Sequence, residues 1–94
     1  MSLEARLVTE ACEYYGLAEG DFRSPRRGYY TLARWAVTHI LAETVGWSES
    51  RIARFLGKHH RAIQDGRKQA QVQLRSDPLF FDLVERLKAM ICST

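Results

Sequence analysis

Apolar residues recur every three or four positions along most of this chain, and the strict alternation of half-buried strands is scarce. The spacing predicts an all-α fold. From Leu3 to Tyr15 one stripe carries Leu7, Val8, Ala11, Cys12 and Tyr15, with Gly16 as the stop. Leu17 to Ser24 is expected to make a single turn, and Pro25 to Gly28 a basic connector. A longer helix is predicted over about 29–45, with Ala33, Ala36, Val37, Ile40, Leu41 and Thr44 inward and Gly46 ending it. Ser48 can cap a third helix that runs to about Leu56 and closes at Gly57. A fourth, from His59 or His60 to about Leu74, is expected to bury Ile63, Gly66, Ala70 and Leu74. The last begins with Asp77 as cap and Pro78 in the first helical position, where a missing N–H costs nothing. Its stripe is Phe80, Leu83, Val84, Leu87 and Ile91. The expected architecture is one domain over residues 1–94, a compact bundle of about five main helices. Ile52, Ala53, Phe55 or Leu56, Ile63, Leu83 and Leu87 are expected to share its core.

Several function classes fall away. No apolar run approaches the roughly 18 to 20 residues that cross a bilayer, and no basic, then apolar, leader opens the chain, so a soluble cytoplasmic protein is expected. Cys12 and Cys92 lie far apart without metal-type spacing, as in a protein with reduced thiols. His59 and His60 are adjacent, so on a helix their side chains diverge by about 100° and cannot chelate one metal together. Neither cysteine has a neighbouring base, and the acids cluster on the flanking helices, where solvation explains them. An enzyme, a metal site and a small-molecule cofactor are therefore not expected. Trp35, Trp47, Tyr29 and Tyr30 read as core or rim.

Charge is segregated along the chain. Between Phe22 and Arg75 stand eleven basic residues and three acids, Glu43, Glu49 and Asp65, whereas the flanks hold three basic residues and eight acids. A positive centre attracts a polyanion.

That centre contains the steric grammar of a helix-turn-helix at about 48–74. Two crossing helices need a small residue at their contact, here Ala53, and a turn residue four positions on that tolerates positive φ, here Gly57. Ile52, Leu56 and Ile63 stand where apolar residues must close the angle. With Ile63, Gly66 and Ala70 turned inward, the fourth helix would expose His60, Arg61, Gln64, Arg67, Lys68 and Gln71. Long donors at a helix start reach base edges in the major groove, and Arg67 and Lys68 farther along would meet phosphates.

Arg34, the run Glu-Thr-Val-Gly-Trp-Ser at 43–48 and the segment Ile52 to Ile63 together resemble the C-terminal DNA-binding domain of the bacterial chromosomal replication initiator DnaA. Tyr14, Tyr15 and Gly16, Asp21 and Phe22, and Phe81 to Ile91 extend the resemblance over nearly the whole chain. It implies a helical bundle around a helix-turn-helix, of the initiator-domain or Trp-repressor-like kind, that grips two grooves of duplex DNA. It also implies a nucleoid-associated role in replication initiation or regulation. Arg34 would enter the minor groove, and His59, His60 and Arg61 would address the major groove. The hallmark Gly-Arg-Asp-His-(Ser/Thr)-Thr-Val is altered where reading occurs. His59 replaces the acid, Arg61 the Ser/Thr and Ala62 the next Thr, and His60 alone matches as written. No GxxxxGK[ST] nucleotide loop occurs. The candidate contacts are Arg26, Arg27 and Arg34 around the connector, Ser48 and Lys58 flanking the third helix, and His59, His60, Arg61, Gln64, Arg67 and Lys68 on the fourth. The alternative is a protein-interaction module that kept the scaffold and lost the reading.

Overall fold

The computed structural model describes residues 1–92, and five main helices form there. In α1 (Leu3–Tyr15) the buried stripe is Leu7, Val8, Ala11 and Cys12, with Tyr15 at its rim. Burial pushes the Cys12 thiol up to about 11, with the Glu19 carboxylate adding to the effect. A single 3-10 turn, Glu19–Asp21, follows and delivers Phe22 into the core with no exposed surface.

The central element is α2 (Tyr29–Ile40), which packs against α1, α4 and α5. Its small residues Ala33 and Ala36 let neighbours approach, and Val37 and Ile40 fill the space between them. The helix expected to run regularly to residue 45 instead changes pitch. Leu41–Val45 form a π-helical turn whose end is marked by two N–H groups, Gly46 and Trp47, converging on the Leu41 carbonyl, the second at 2.8 Å. A π turn advances less than the about 100° per residue of an α-helix, so side chains beyond Leu41 lag behind their expected directions. Thr44, expected inward, is exposed as a result, and Val45 packs on the core instead. His39, expected half-buried, is only 7% exposed.

Ser48 caps α3 (Glu49–Leu56), its hydroxyl accepting the Arg51 N–H at 3.1 Å. Ile52, Ala53 and Leu56 are buried, while Phe55 lies at the rim, which resolves the open choice between Phe55 and Leu56. Gly57 ends α3 at φ 65°, a conformation that would strain a residue with a Cβ. After this three-residue turn comes α4 (His60–Ser76), with Ile63, Gly66 and Ala70 buried. It runs past the expected Leu74, which is only partly buried, as far as Asp77, where φ −122° and ψ 102° are extended. Asp77 precedes Pro78, whose ring disfavours helical backbone in the residue before it. The Asp77 carboxylate then caps α5 (Pro78–Cys92) by accepting the Leu79 N–H at 3.0 Å and the Phe80 N–H at 3.3 Å. Phe80, Leu83, Val84 and Leu87 close the core, with Ile91 at its edge.

One contact fixes α4 against α2. A Cβ built on Gly66 would stand 3.0 Å from Trp35 Cδ1, so the indole lies where a side chain would otherwise be. Apart from Thr38 and His39 the buried side chains of the described residues are apolar, and no Asp, Glu, Lys or Arg is buried among them. Leu83→Asp is expected to abolish cooperative thermal melting, because burying an unpaired carboxylate costs several kcal/mol against a stability of about 5 kcal/mol for a small domain.

Candidate nucleic-acid interface

The connector before α2 is held by backbone carbonyls turned inward. Arg34, on the first turns of α2, donates to the carbonyls of Phe22 at 3.1 Å, Ser24 at 3.2 Å and Arg26 at 2.5 Å, and to Thr31 Oγ1 at 3.3 Å. Lys58, in the turn between α3 and α4, reaches the same Ser24 carbonyl at 3.4 Å. Partial burial lowers the Arg34 pKa. The guanidinium expected in a minor groove is thus directed at the loop, and the exposed cations of that loop are Arg26 and Arg27. Arg26 lies 3.8 Å from Asp21 and 5.7 Å from the Tyr30 ring centre.

Across from the loop stands the head of α4. His59 caps the helix, with Nδ1 accepting the Arg61 N–H at 3.1 Å, so its imidazole is occupied in shaping the terminus. His60 and Arg61 are exposed beside it. Between loop and helix lies an open cleft of about 340 Å³, with Trp35, Leu56 and Ile63 on its floor and Arg27, Arg34, Lys58 and Asp65 around it. The structure therefore brings Arg27, Arg34 and Lys58 around one depression, whereas Arg26 on the loop and His59 and Arg61 at the head of α4 lie outside its lining.

The middle of α4 differs from expectation. Glu49, at the start of α3, accepts from His60 Nε2 at 3.0 Å, from Gln64 at 3.4 Å and from Arg67 at 2.8 Å. Arg67 also donates to Glu43, in the π turn, at 2.6 Å. The Arg67 guanidinium, with His60 second, holds the Glu49 carboxyl below the usual glutamate range, and Glu43 followed by Glu49 raises the Arg67 pKa. Of six side chains expected to be free donors on this face, three are engaged by one carboxylate. Lys68 and Arg61 form no ion pair among the described residues, and Gln71 is exposed. Ser48 is exposed at the α3 terminus.

Two arginines missed from the sequence are held by aromatic rings, one from far along the chain and one from a single turn away. Arg23 donates to the Phe55 carbonyl at 2.8 Å and stacks 4.5 Å from the Phe55 ring centre. Arg51 stacks 3.9 Å from the Trp47 ring centre, and the two aromatics meet edge to face at 5.7 Å. Much of the positive charge in the central segment is therefore laid over aromatic rings or turned into backbone. Compared with known families and with curated proteins, the chain matches no family model and no curated sequence.

Burial lowers the His39 pKa, with Glu43 opposing that effect and Lys88 and Arg67 reinforcing it. An unfolded histidine takes up its proton near pH 6.5, before His39 does in the folded state, so stability falls as pH drops through that range toward the lower folded value. Urea unfolding of wild type at pH 7.5 and pH 5 is expected to show a loss that His39→Gln makes smaller. A second loss is expected at lower pH, where Glu49 and Asp82, both held below their usual ranges by hydrogen-bond partners, are protonated.

Proposed function

We propose that this chain binds double-stranded DNA, with the head of α4 in the major groove and the loop carrying Arg26 and Arg27 against the neighbouring minor groove. The observation that carries this reading is the coupling of the two edges. The Ser24 carbonyl accepts from both Arg34 and Lys58, so the basic loop and the turn before α4 are held at a set separation across the cleft. A strand backbone passing between the grooves would run over that cleft, within reach of Arg27 and Lys58. His60 and Arg61 would face base edges, and Lys68 a phosphate. Arg34 acts here by holding the loop. The resemblance to the initiator DnaA adds a replication-initiation or regulatory setting, in the nucleoid of a bacterial cytoplasm, and no catalytic role. A second reading, a protein-interaction module on the same scaffold, is favoured by one observation, the engagement of His60, Gln64 and Arg67 by Glu49.

Titration of labelled duplexes at several salt concentrations decides between the two readings. Duplex binding is expected to weaken with salt, with a slope of about −0.9 for each phosphate neutralised. Lys68→Ala should lower affinity alike on all sequences and reduce the slope by about one. Arg34→Ala should weaken binding without unfolding the protein, and Arg34→Lys should not rescue it, because one ammonium cannot span three carbonyls as the planar fork does. Salt-insensitive or absent binding would leave the interaction module.

Specificity is expected to depart from the initiator family's box. An acid suits the amino group of cytosine, whereas Arg61 offers a fork for guanine O6 and N7, a difference of about 1 to 3 kcal/mol at one base pair. His59→Asp combined with Arg61→Thr should shift preference back toward that box in a selection from random duplexes. A change in overall affinity alone would remove these residues from the reading set.

A further inference from the structure

All three acids of the basic segment gather at α4. Asp65 is exposed on the helix itself, and Glu43 and Glu49 reach it from the end of α2 and the start of α3. The last two bracket Arg67, so two carboxylates hold the one guanidinium between them. Their targets His60, Gln64 and Arg67 sit at intervals of four and three residues, on one stripe. Beside the stripe lies an open groove of about 470 Å³ whose walls include Glu43, Glu49, Gln64, Arg67 and Lys68. A carboxylate and a phosphodiester present similar anionic oxygens to a guanidinium fork, and both use the same donors. Glu43 is about half exposed and Glu49 a quarter, so an approaching anion meets them directly.

We propose that Glu43 and Glu49 are an internal brake on DNA binding: they occupy the donors of Arg67 as a backbone phosphate would, and a duplex gains those donors only by displacing them. The proposal rests on the duplex-binding reading of α4. Displacement exchanges one anion for another, so Arg67 adds little net attraction while the freed carboxylates repel the phosphates beside it. The brake acts on charge and not on base identity, and it therefore weakens binding to every sequence alike. It also limits how firmly the protein is retained by bulk DNA, where phosphate contacts supply nearly all of the affinity.

The test is duplex binding by the full chain carrying Glu43→Gln and Glu49→Gln, measured against wild type from about 0.05 to 0.3 M salt on several unrelated sequences. The amides keep the shape of both side chains and remove the charge. Affinity is expected to rise on all sequences, by about eightfold near 0.1 M salt for one recovered phosphate contact, and the salt slope to steepen by about one. An affinity that falls or stays level would identify the acids as struts that only aim Arg67, and would overturn the brake. A change confined to one base pair would overturn it too, by making Glu49 a base reader. Binding by wild type that the variant does not improve removes only the brake, whereas no binding by either form removes the duplex reading with it. If the double variant does not melt cooperatively, Glu43→Gln alone carries the test, since Glu49 then still caps His60 and Gln64; the slope should steepen by a smaller amount in the same direction.

Discussion

Both edges of the candidate interface are positioned by the face along which α2 and α4 lie together. At its middle Gly66 leaves room for the Trp35 indole, and the 3.0 Å separation of a notional Cβ from Trp35 Cδ1 shows how little freedom remains there. From that fixed point α2 works in both directions. Arg34, one residue before the tryptophan, gathers three carbonyls of the basic loop. Glu43, in the π turn beyond the other end, takes hold of Arg67. The loop on one side of α4 and Glu43 on the other are thus both referenced to one helix. A rigid separation of this kind is what a surface needs to match two features of a partner at once.

Local features were legible because their causes are local. The caps Ser48 and Asp77, the stop at Gly57 and the buried stripes of α3 and α5 each follow from residues within one or two turns. The π turn was not, since nothing in Leu41 to Val45 forbids an ordinary helix; it arises where Gly46 and Trp47 share the Leu41 carbonyl. Thr44 was misplaced for that reason alone. Phe22 was missed as a core residue because a lone aromatic in a short turn has no periodicity to announce it.

The candidate site shows the same division more sharply. Residue types and positions pointed to a basic helix, but a count of charges along the chain says nothing of which charges face one another. Glu49 meets His60, Gln64 and Arg67 at separations of eleven to eighteen residues, and Glu43 meets Arg67 across twenty-four. Arg23 lies over Phe55 from thirty-two residues away. Such pairings depend on tertiary placement, and they turn a segment rich in arginine into a surface whose free cations sit at its edges. The altered positions His59 and Arg61 are also divided by the fold: one closes the helix terminus and the other stands in solvent.

The burial of Cys12 has a practical consequence. With a pKa near 11, it presents its thiolate at neutral pH as roughly one part in ten thousand, and 1% exposure shields even that fraction from reagents. Cys92, at the other end of the chain, is exposed. A maleimide dye or spin label will therefore attach at the end of α5 first, without mutagenesis. Slow modification of the second thiol then serves as a clock for opening of the bundle, read by mass from the same sample.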